Sequence, residues 1–282
     1  MSFVSLDAGR VAYDSTGDGP AVVLSHASLV DRRMWRAQLD TLSRRFRVIA
    51  WDRLGYGDSD PAPPSVRHGA DVLRLMDALG VERAALIGSS MGGGYSLDAA
   101  LLAPERVSAL ALICPGVPGY VWPGEMLAEV EPMLSAAVPR SRLTEYAAHT
   151  AASVLDTDIA AMAEAQQRYM TVGPGRGDSV FDPETWAFLL AMTRGVFARL
   201  WREPVSAEVD PDPPLLDRLA SVSAPTLLIN GRSDVRFVQD LGQRLSAGIP
   251  GAQRIDLDDT GHLPPVERPD AVNAALLDWL PR

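Results

Sequence analysis

The sequence predicts an α/β fold, in which a mostly parallel central sheet is flanked by helices and carries an inserted helical segment. Short apolar runs alternate with stretches of helical periodicity in both halves of the chain. This alternation is typical of parallel strands joined by right-handed helical crossovers. It stops between about residues 115 and 214, where only helical runs occur. That stretch is too long for a plain connecting loop.

The first half of the chain supplies most of the predicted sheet. Continuous apolar runs suit strands that are buried on both faces of a parallel sheet. The predicted strands lie at 3–6, 10–14, 21–24, 47–51, 84–87 and 107–113. The predicted helices lie at 31–44, 66–79 and 95–103. Asp31 is suited to cap the first of them, and Gly80 to end the second.

The second half begins with the helical stretch and then returns to alternation. Helices are predicted at 125–137, 142–155, 158–169 and 183–202, followed by strands at 225–229 and 254–257 with helices at 238–247 and 269–280. We therefore predict a core domain made of residues 1–114 and 215–282. Residues 115–214 are predicted to form a helical cap, or lid, over the edge where the carboxyl ends of the strands lie, which is where parallel sheets bind ligands.

Composition and charge exclude several function classes. The 282 residues are 47% hydrophobic and 22% charged, which is ordinary for a globular protein. A net charge of -10 argues against nucleic acid and anionic membranes as partners. All 26 basic residues are arginine, so a Walker-type phosphate loop and a lysine Schiff base are excluded.

Neither a metal nor an organic cofactor is expected. Cys114 is the single cysteine, and the four histidines lack the spacing of metal ligands. The first residues do not resemble a signal peptide, and no apolar run approaches the length of a membrane span. We therefore expect a cytoplasmic protein that acts on a small-molecule substrate. A homodimeric state is one possibility.

One short motif carries the chemistry. Gly88, Ser90 and Gly92 form G-x-S-x-G between an apolar run and a helix-forming run. In this strand–turn–helix context the motif predicts a nucleophile elbow, which exposes the serine hydroxyl at the top of a sheet. The amides at the start of the following helix can then stabilise developing negative charge.

A serine nucleophile needs a base, and the base needs an orienting carboxylate. Ser90, Asp234 and His262 occur in the chain order expected with this elbow, and each follows a predicted strand. We therefore predict that these three residues form the catalytic triad. Asp256, Asp258 and Asp259 compete with Asp234, but they lie on or beside the strand that leads to His262.

The other predicted roles concern the oxyanion hole and the remaining histidines. Met91, which follows the nucleophile, supplies one backbone amide, and Ser28 is the most plausible source of the second. His26 is expected to order its own loop by hydrogen bonding. His68 and His149 are expected to be solvated or to lie at an interface.

With these residues, the chain resembles members of the α/β-hydrolase superfamily over nearly its whole length. The stretches that carry the resemblance are 25–28, 31–35, 52–59, 88–93, 230–234 and 261–269. Met34-Trp35 and the elbow are similar to those of enol-lactonases and small-molecule esterases. The resemblance implies a serine hydrolase that cleaves an ester or lactone of a small, largely apolar molecule through an acyl-enzyme. Ala27 stands where that family usually has glycine.

Alternatives stay open within the same fold. Epoxide hydrolases and haloalkane dehalogenases have aspartate at the elbow, so Ser90 disfavours both. Carbon–carbon bond hydrolases of dienol-type diketones use serine but typically have tryptophan after the histidine, where this chain has Leu263. A ligand receptor or a biosynthetic cyclase built on a hydrolase fold is the remaining alternative.

Overall fold

The computed structural model describes residues 1–177 and 180–281, and one large sheet forms its centre. Its order is β1-β2-β4-β3-β6-β7-β9-β10, and every neighbouring pair from β4 to β10 is parallel. The strands of the chain are β1 (Ser2–Leu6), β2 (Gly9–Thr16), β3 (Ala21–Ser25), β4 (Arg47–Trp51), β5 (Ser65–Val66), β6 (Ala84–Ser89), β7 (Val107–Ile113), β8 (Ala207–Glu208), β9 (Thr226–Gly231) and β10 (Gln253–Leu257). The predicted fold class is confirmed.

Helices lie on both faces of this sheet and in the segment between β7 and β9. They are α1 (Arg36–Leu42), α2 (His68–Ala78), α3 (Met91–Leu102), α4 (Gly124–Ala137), α5 (Arg140–Ala147), α6 (Asp156–Gln166), α7 (Pro183–Arg202), α8 (Arg236–Gly248), α9 (Pro264–Glu267) and α10 (Pro269–Trp279). Alternate residues of each central strand enter opposite cores. On β3, Val23 packs in the core that contains α2, α3 and α8, whereas Val22 and Leu24 pack in the core that contains α1 and α10. This two-sided burial explains the continuous apolar runs.

The helices between β7 and β9 have a small core of their own. We call residues 124–177 and 180–202 the α4–α7 segment. Its buried apolar side chains include Tyr146, Met162, Phe197 and Trp201. Within the described part of the chain, no helix is long and apolar enough to cross a membrane.

A second, very small sheet ties the end of this segment to the first half of the chain. β5 pairs in parallel with β8, so Val66 lies opposite Glu208. The amide of Ala207 donates to the carbonyl of Pro64 at 2.9 Å, and the amide of Val209 to that of Val66 at 2.8 Å. This pairing was not predicted, because a two-residue strand shows no periodicity.

Three predicted helices need correction. The helix expected at 142–155 ends at Ala147, where His149 has a φ of 54° that no α-helix contains. The helix expected at 66–79 begins at His68, because Val66 belongs to β5. The helix expected at 31–44 opens with a 3₁₀ turn, Arg32–Trp35, which Asp31 caps as predicted.

Candidate active site

The turn after β6 holds Ser90 in a strained conformation. Its φ of 53° and ψ of -127° lie outside the regions that L-residues favour. The flanking glycines are required by close approach: a Cβ at Gly88 would collide with the carbonyl of Gly92, and a Cβ at Gly92 would collide with the carbonyls of Ser25 and His26. The turn therefore has the geometry of a nucleophile elbow.

The structure brings the three predicted triad side chains together. Nε2 of His262 lies 2.9 Å from Oγ of Ser90, and Nδ1 lies 2.7 Å from Oδ2 of Asp234. Because a carboxylate can only accept, Nδ1 carries the proton and Nε2 is free to accept from the serine hydroxyl. His262 and Asp234 are 3% and 2% exposed. This arrangement can remove the hydroxyl proton and stabilise the resulting imidazolium.

The sheet register explains why these distant residues meet. Ser25 pairs with Gly88, Ile113 with Ile229 and Gly231 with Leu257, so the carboxyl ends of β3, β6, β7, β9 and β10 form one edge. Ser90, Asp234 and His262 lie in the turns that directly follow three of these strands. The site is thus a consequence of parallel pairing.

Two of the three competing aspartates have other partners. Asp256 lies on β10 and pairs with Arg254 at 2.8 Å, and Asp258 pairs with Arg232 at 3.0 Å. The carboxylate that faces His262 is that of Asp234, whose second oxygen accepts from the amide of Val235 at 2.7 Å.

The two predicted oxyanion donors lie on adjoining elements. Met91 is the first residue of α3, so its amide has no partner within the helix. Ser28 lies in the loop after β3, which approaches the start of α3 so closely that only glycine fits at position 92. Ala27 is not among the residues with positive φ, which explains why alanine is tolerated where the family has glycine.

Arg53, for which no role was predicted, hydrogen-bonds to the loop that contains Ser28. Its guanidinium donates to the carbonyl of His26 at 2.9 Å and to Oγ of Ser28 at 3.4 Å. The side chain is fully buried and lies 4.4 Å and 4.7 Å from the ring centres of Tyr56 and Tyr95. The sequence does not indicate this burial, because arginine side chains are mostly exposed to solvent.

His26 orders its loop in the way that was predicted. Its Nδ1 donates to the carbonyl of Ala27 at 2.8 Å, and its Nε2 accepts from the amide of Arg53 at 3.2 Å. Burial and the charge of Arg53 hold the pKa of His26 well below its ordinary value of 6.5. A neutral imidazole satisfies both hydrogen bonds.

His68 corrects a prediction, whereas His149 does not. His68 is only 6% exposed and lies against Tyr95, with ring centres 5.0 Å apart, so it is not the solvated histidine that was one of the two expectations. Burial lowers its pKa. His149 is exposed, as predicted.

Cys114 is an unexpected neighbour of the triad. Among the described residues, Cys114, Asp234 and His262 form a group whose potential metal-ligating atoms lie within 4.8 Å of one another. However, Asp234 and His262 already hydrogen-bond to each other. Burial and the charge of Asp234 raise the pKa of the Cys114 thiol well above its ordinary range, so it stays protonated. A protonated thiol is a poor metal ligand, and the group suits proton transfer better than metal binding.

A cavity of about 550 Å³ opens beside Ser28, within the size range of small-molecule sites. Side chains of α7 form its apolar wall, namely Val196, Phe197, Leu200 and Trp201. Polar side chains also line it, namely Tyr56, His68, Tyr95 and the exposed Glu208, and we call these four residues its polar floor.

Known proteins resemble this chain over nearly its full length. The family model for the alpha/beta hydrolase fold matches residues 20–269. A 2-hydroxy-6-oxononadienedioate/2-hydroxy-6-oxononatrienedioate hydrolase of Klebsiella pneumoniae is 30% identical over 298 residues, covering 99% of this chain and 95% of that relative. Carboxylesterase YbfK of Bacillus subtilis is 24% identical over 290 residues, covering 99% and 86%. The solved enol-lactonase from Burkholderia xenovorans matches 98% of each chain with a TM-score of 0.74 and 23% identity.

Proposed function

The chain belongs to the α/β-hydrolase fold family, and we propose that it is a serine hydrolase that cleaves an ester or lactone of a small, largely apolar molecule. One observation carries this assignment: the hydrogen-bonded chain from Ser90 through His262 to Asp234. The name of the carboxylesterase relative and the apolar wall of the cavity support an ester substrate.

In the proposed reaction, His262 takes the hydroxyl proton as Ser90 attacks the substrate carbonyl. Asp234 keeps the imidazole in the required tautomer and stabilises the imidazolium. The amides of Met91 and Ser28 bind the oxyanion, and the loss of one such donor typically costs about 3 kcal/mol of barrier. His262 then protonates the leaving alkoxide. A water molecule, activated by the same imidazole, finally hydrolyses the acyl-enzyme, so the cycle requires no metal or organic cofactor.

Residues 1–114 and 215–282 would serve as the catalytic domain, with residues 115–214 as the lid. The α7 helix supports the role of a lid, because it contacts the loop after β3 that contains Ser28 and Leu29. Thr193 donates to the carbonyl of Leu29 at 2.8 Å. Arg199 donates to the carbonyls of Gly57 and Ser59, each at 2.8 Å. A lid in this position would shield the reacting groups from bulk solvent and admit the water molecule that hydrolyses the acyl-enzyme.

A fluorophosphonate probe tests the nucleophile. We expect the wild type to be labelled at Ser90 and the Ser90→Ala variant to be neither labelled nor active on aryl esters. Ser89→Ala is the matched control, since that neighbouring hydroxyl is buried and makes no hydrogen bond to a described residue. Equal labelling of Ser90→Ala and wild type would remove the assignment.

Hydrolysis of a carbon–carbon bond is the second candidate, favoured by the 30% identity to the dienedioate hydrolase. Leu263, where such enzymes typically have tryptophan, argues against it. The two functions are separated by comparing kcat/KM on dienol-type diketones and on aryl esters. Faster turnover of the diketones would reverse the ranking.

A further inference from the structure

The polar floor of the cavity contains one charged group with no charged partner. Glu208 forms no ion pair within the described part of the chain. The other charged residues that line the cavity, Arg199 and Glu203, pair with each other at 2.8 Å. Glu208 is therefore the group in the cavity whose charge is left for a ligand.

The position of Glu208 is fixed by two elements. Its backbone pairs with Val66 in the β5–β8 sheet. Its Oε2 accepts a hydrogen bond of 3.0 Å from the hydroxyl of Tyr95. Tyr95 is buried, and burial raises its pKa well above the ordinary value, so it remains a donor. One carboxylate oxygen is thus engaged, and the other has capacity for a further hydrogen bond.

Arg199, the one arginine among the described lining residues, is already engaged by Glu203 and by the carbonyls of Gly57 and Ser59, so it is not free for an acidic ligand. Arg53 lies behind Tyr56 and Tyr95, is fully buried and does not line the cavity. Partial burial raises the pKa of Glu208, whereas the Tyr95 hydrogen bond and the charge of Arg53 act to lower it. His68, the other titratable group of the floor, is kept neutral by its lowered pKa.

We propose that Glu208 determines specificity, and that the cavity takes an ester or lactone whose far end carries a hydrogen-bond donor, such as an ammonium, amide or hydroxyl group. A terminal carboxylate is disfavoured, because it would approach Glu208 with like charge. This selectivity rests on the proposed ester hydrolysis, and it refines the expected substrate from largely apolar to apolar with a polar end.

Ser28 connects the cavity with the proposed reaction, because it lines the cavity and supplies a proposed oxyanion amide. Ser90 and His262 are not among the lining residues, so a substrate would reach Glu208 with the part of the molecule that extends past Ser28.

Two matched ester series test this selectivity. In one, aryl esters of medium-length acids end in methyl, hydroxymethyl, aminomethyl or carboxylate. In the other, acetates of medium-length alcohols carry the same ends. We expect kcat/KM in at least one series to favour the ammonium over the carboxylate by about 100-fold, since hydrogen bonds to charged groups are the stronger ones. Glu208→Gln should reduce that ratio at least ten-fold.

Glu105→Gln, an exposed carboxylate in the turn before β7, should leave the ratio unchanged. A wild-type enzyme that prefers the carboxylate, or a Glu208→Gln variant that retains the wild-type ratio, would overturn the role of Glu208. Binding of an alkylammonium and an alkylcarboxylate to Ser90→Ala, measured by calorimetry, distinguishes a failure of the proposed ester hydrolysis from a failure of the cavity's proposed selectivity. If no ester is turned over through Ser90, the proposed function fails, while a Glu208-dependent preference for the alkylammonium would still support the cavity's selectivity.

Discussion

The substitution Asp234→Asn probes the proposed triad most directly, because both oxygens of this carboxylate act as acceptors. Oδ2 lies 2.7 Å from Nδ1 of His262, and Oδ1 accepts from the amide of Val235 at 2.7 Å. An asparagine amide has one acceptor atom and one donor atom. It therefore cannot replace both hydrogen bonds at once.

Each orientation of the asparagine has a definite cost. If its oxygen stays with Val235, its NH₂ group faces Nδ1 of His262, the imidazole proton moves to Nε2, and Ser90 loses its base. If its oxygen faces His262, two N–H donors meet at Val235, and an unsatisfied buried donor costs about 1–3 kcal/mol. We expect the first orientation to prevail and kcat to fall about 10⁴-fold, which is roughly 5 kcal/mol of barrier. KM should change only a few-fold.

Steady-state and burst kinetics on an aryl ester measure this effect, with circular dichroism to check the fold. Asp258→Asn is the matched control, because that carboxylate is exposed and pairs with Arg232 instead of His262. A folded Asp234→Asn variant with kcat within ten-fold of the wild type would refute the role of Asp234. So would a loss confined to KM.

Three further substitutions have expected outcomes. Gly92→Ala should lower the free energy of unfolding by about 3 kcal/mol in urea denaturation, since the added Cβ meets backbone carbonyls; Gly124→Ala, with open space around it, is the control, and equal effects would contradict the packing argument. Arg199→Met should lower the free energy of unfolding by about 1–3 kcal/mol and raise hydrogen exchange in α7, because it removes the hydrogen bonds to the carbonyls of Gly57 and Ser59. Unchanged exchange would show that these hydrogen bonds do not stabilise the helix. His26 has a lowered pKa, so unfolding takes up a proton below about pH 6.5 and the wild type loses stability there as pH falls, by up to about 1.4 kcal/mol per pH unit. His26→Asn lacks this contribution, and parallel pH profiles of unfolding free energy for the two proteins would exclude it.

Much of the fold could be predicted because its signals are local. A strand buried on both faces needs a continuous apolar run, and that run is visible without knowledge of its neighbours. Once the strands are known, parallel pairing places every following turn at one edge. For this reason the proximity of Ser90, Asp234 and His262 follows from the order of the strands, although their catalytic roles remain a proposal.

The surroundings of the site could not be predicted, because they depend on contacts between distant segments. β8 contains two residues and exists only because Val66 and its neighbours present free backbone groups. The burial of Arg53 depends on Tyr56 and Tyr95 closing over it. His68, in contrast, stands at helical spacing from the buried Val72, Leu75 and Met76 of α2, so the periodicity of that helix could have indicated its burial.

This difference separates the reaction from the substrate. Ser90, Asp234 and His262 lie in turns whose positions follow from the strands of the large sheet, and residues 171–176 of the α4–α7 segment also contact two of these turns. Glu208, in contrast, belongs to a strand that exists only through its pairing with β5, and its orientation depends on Tyr95. Changes in a few residues around β8 would therefore alter the lining of the cavity while the strands that precede Ser90, Asp234 and His262 stay the same. Because of this, similarity over the whole chain indicates a hydrolase, whereas the preferred substrate must be inferred from the cavity of this chain.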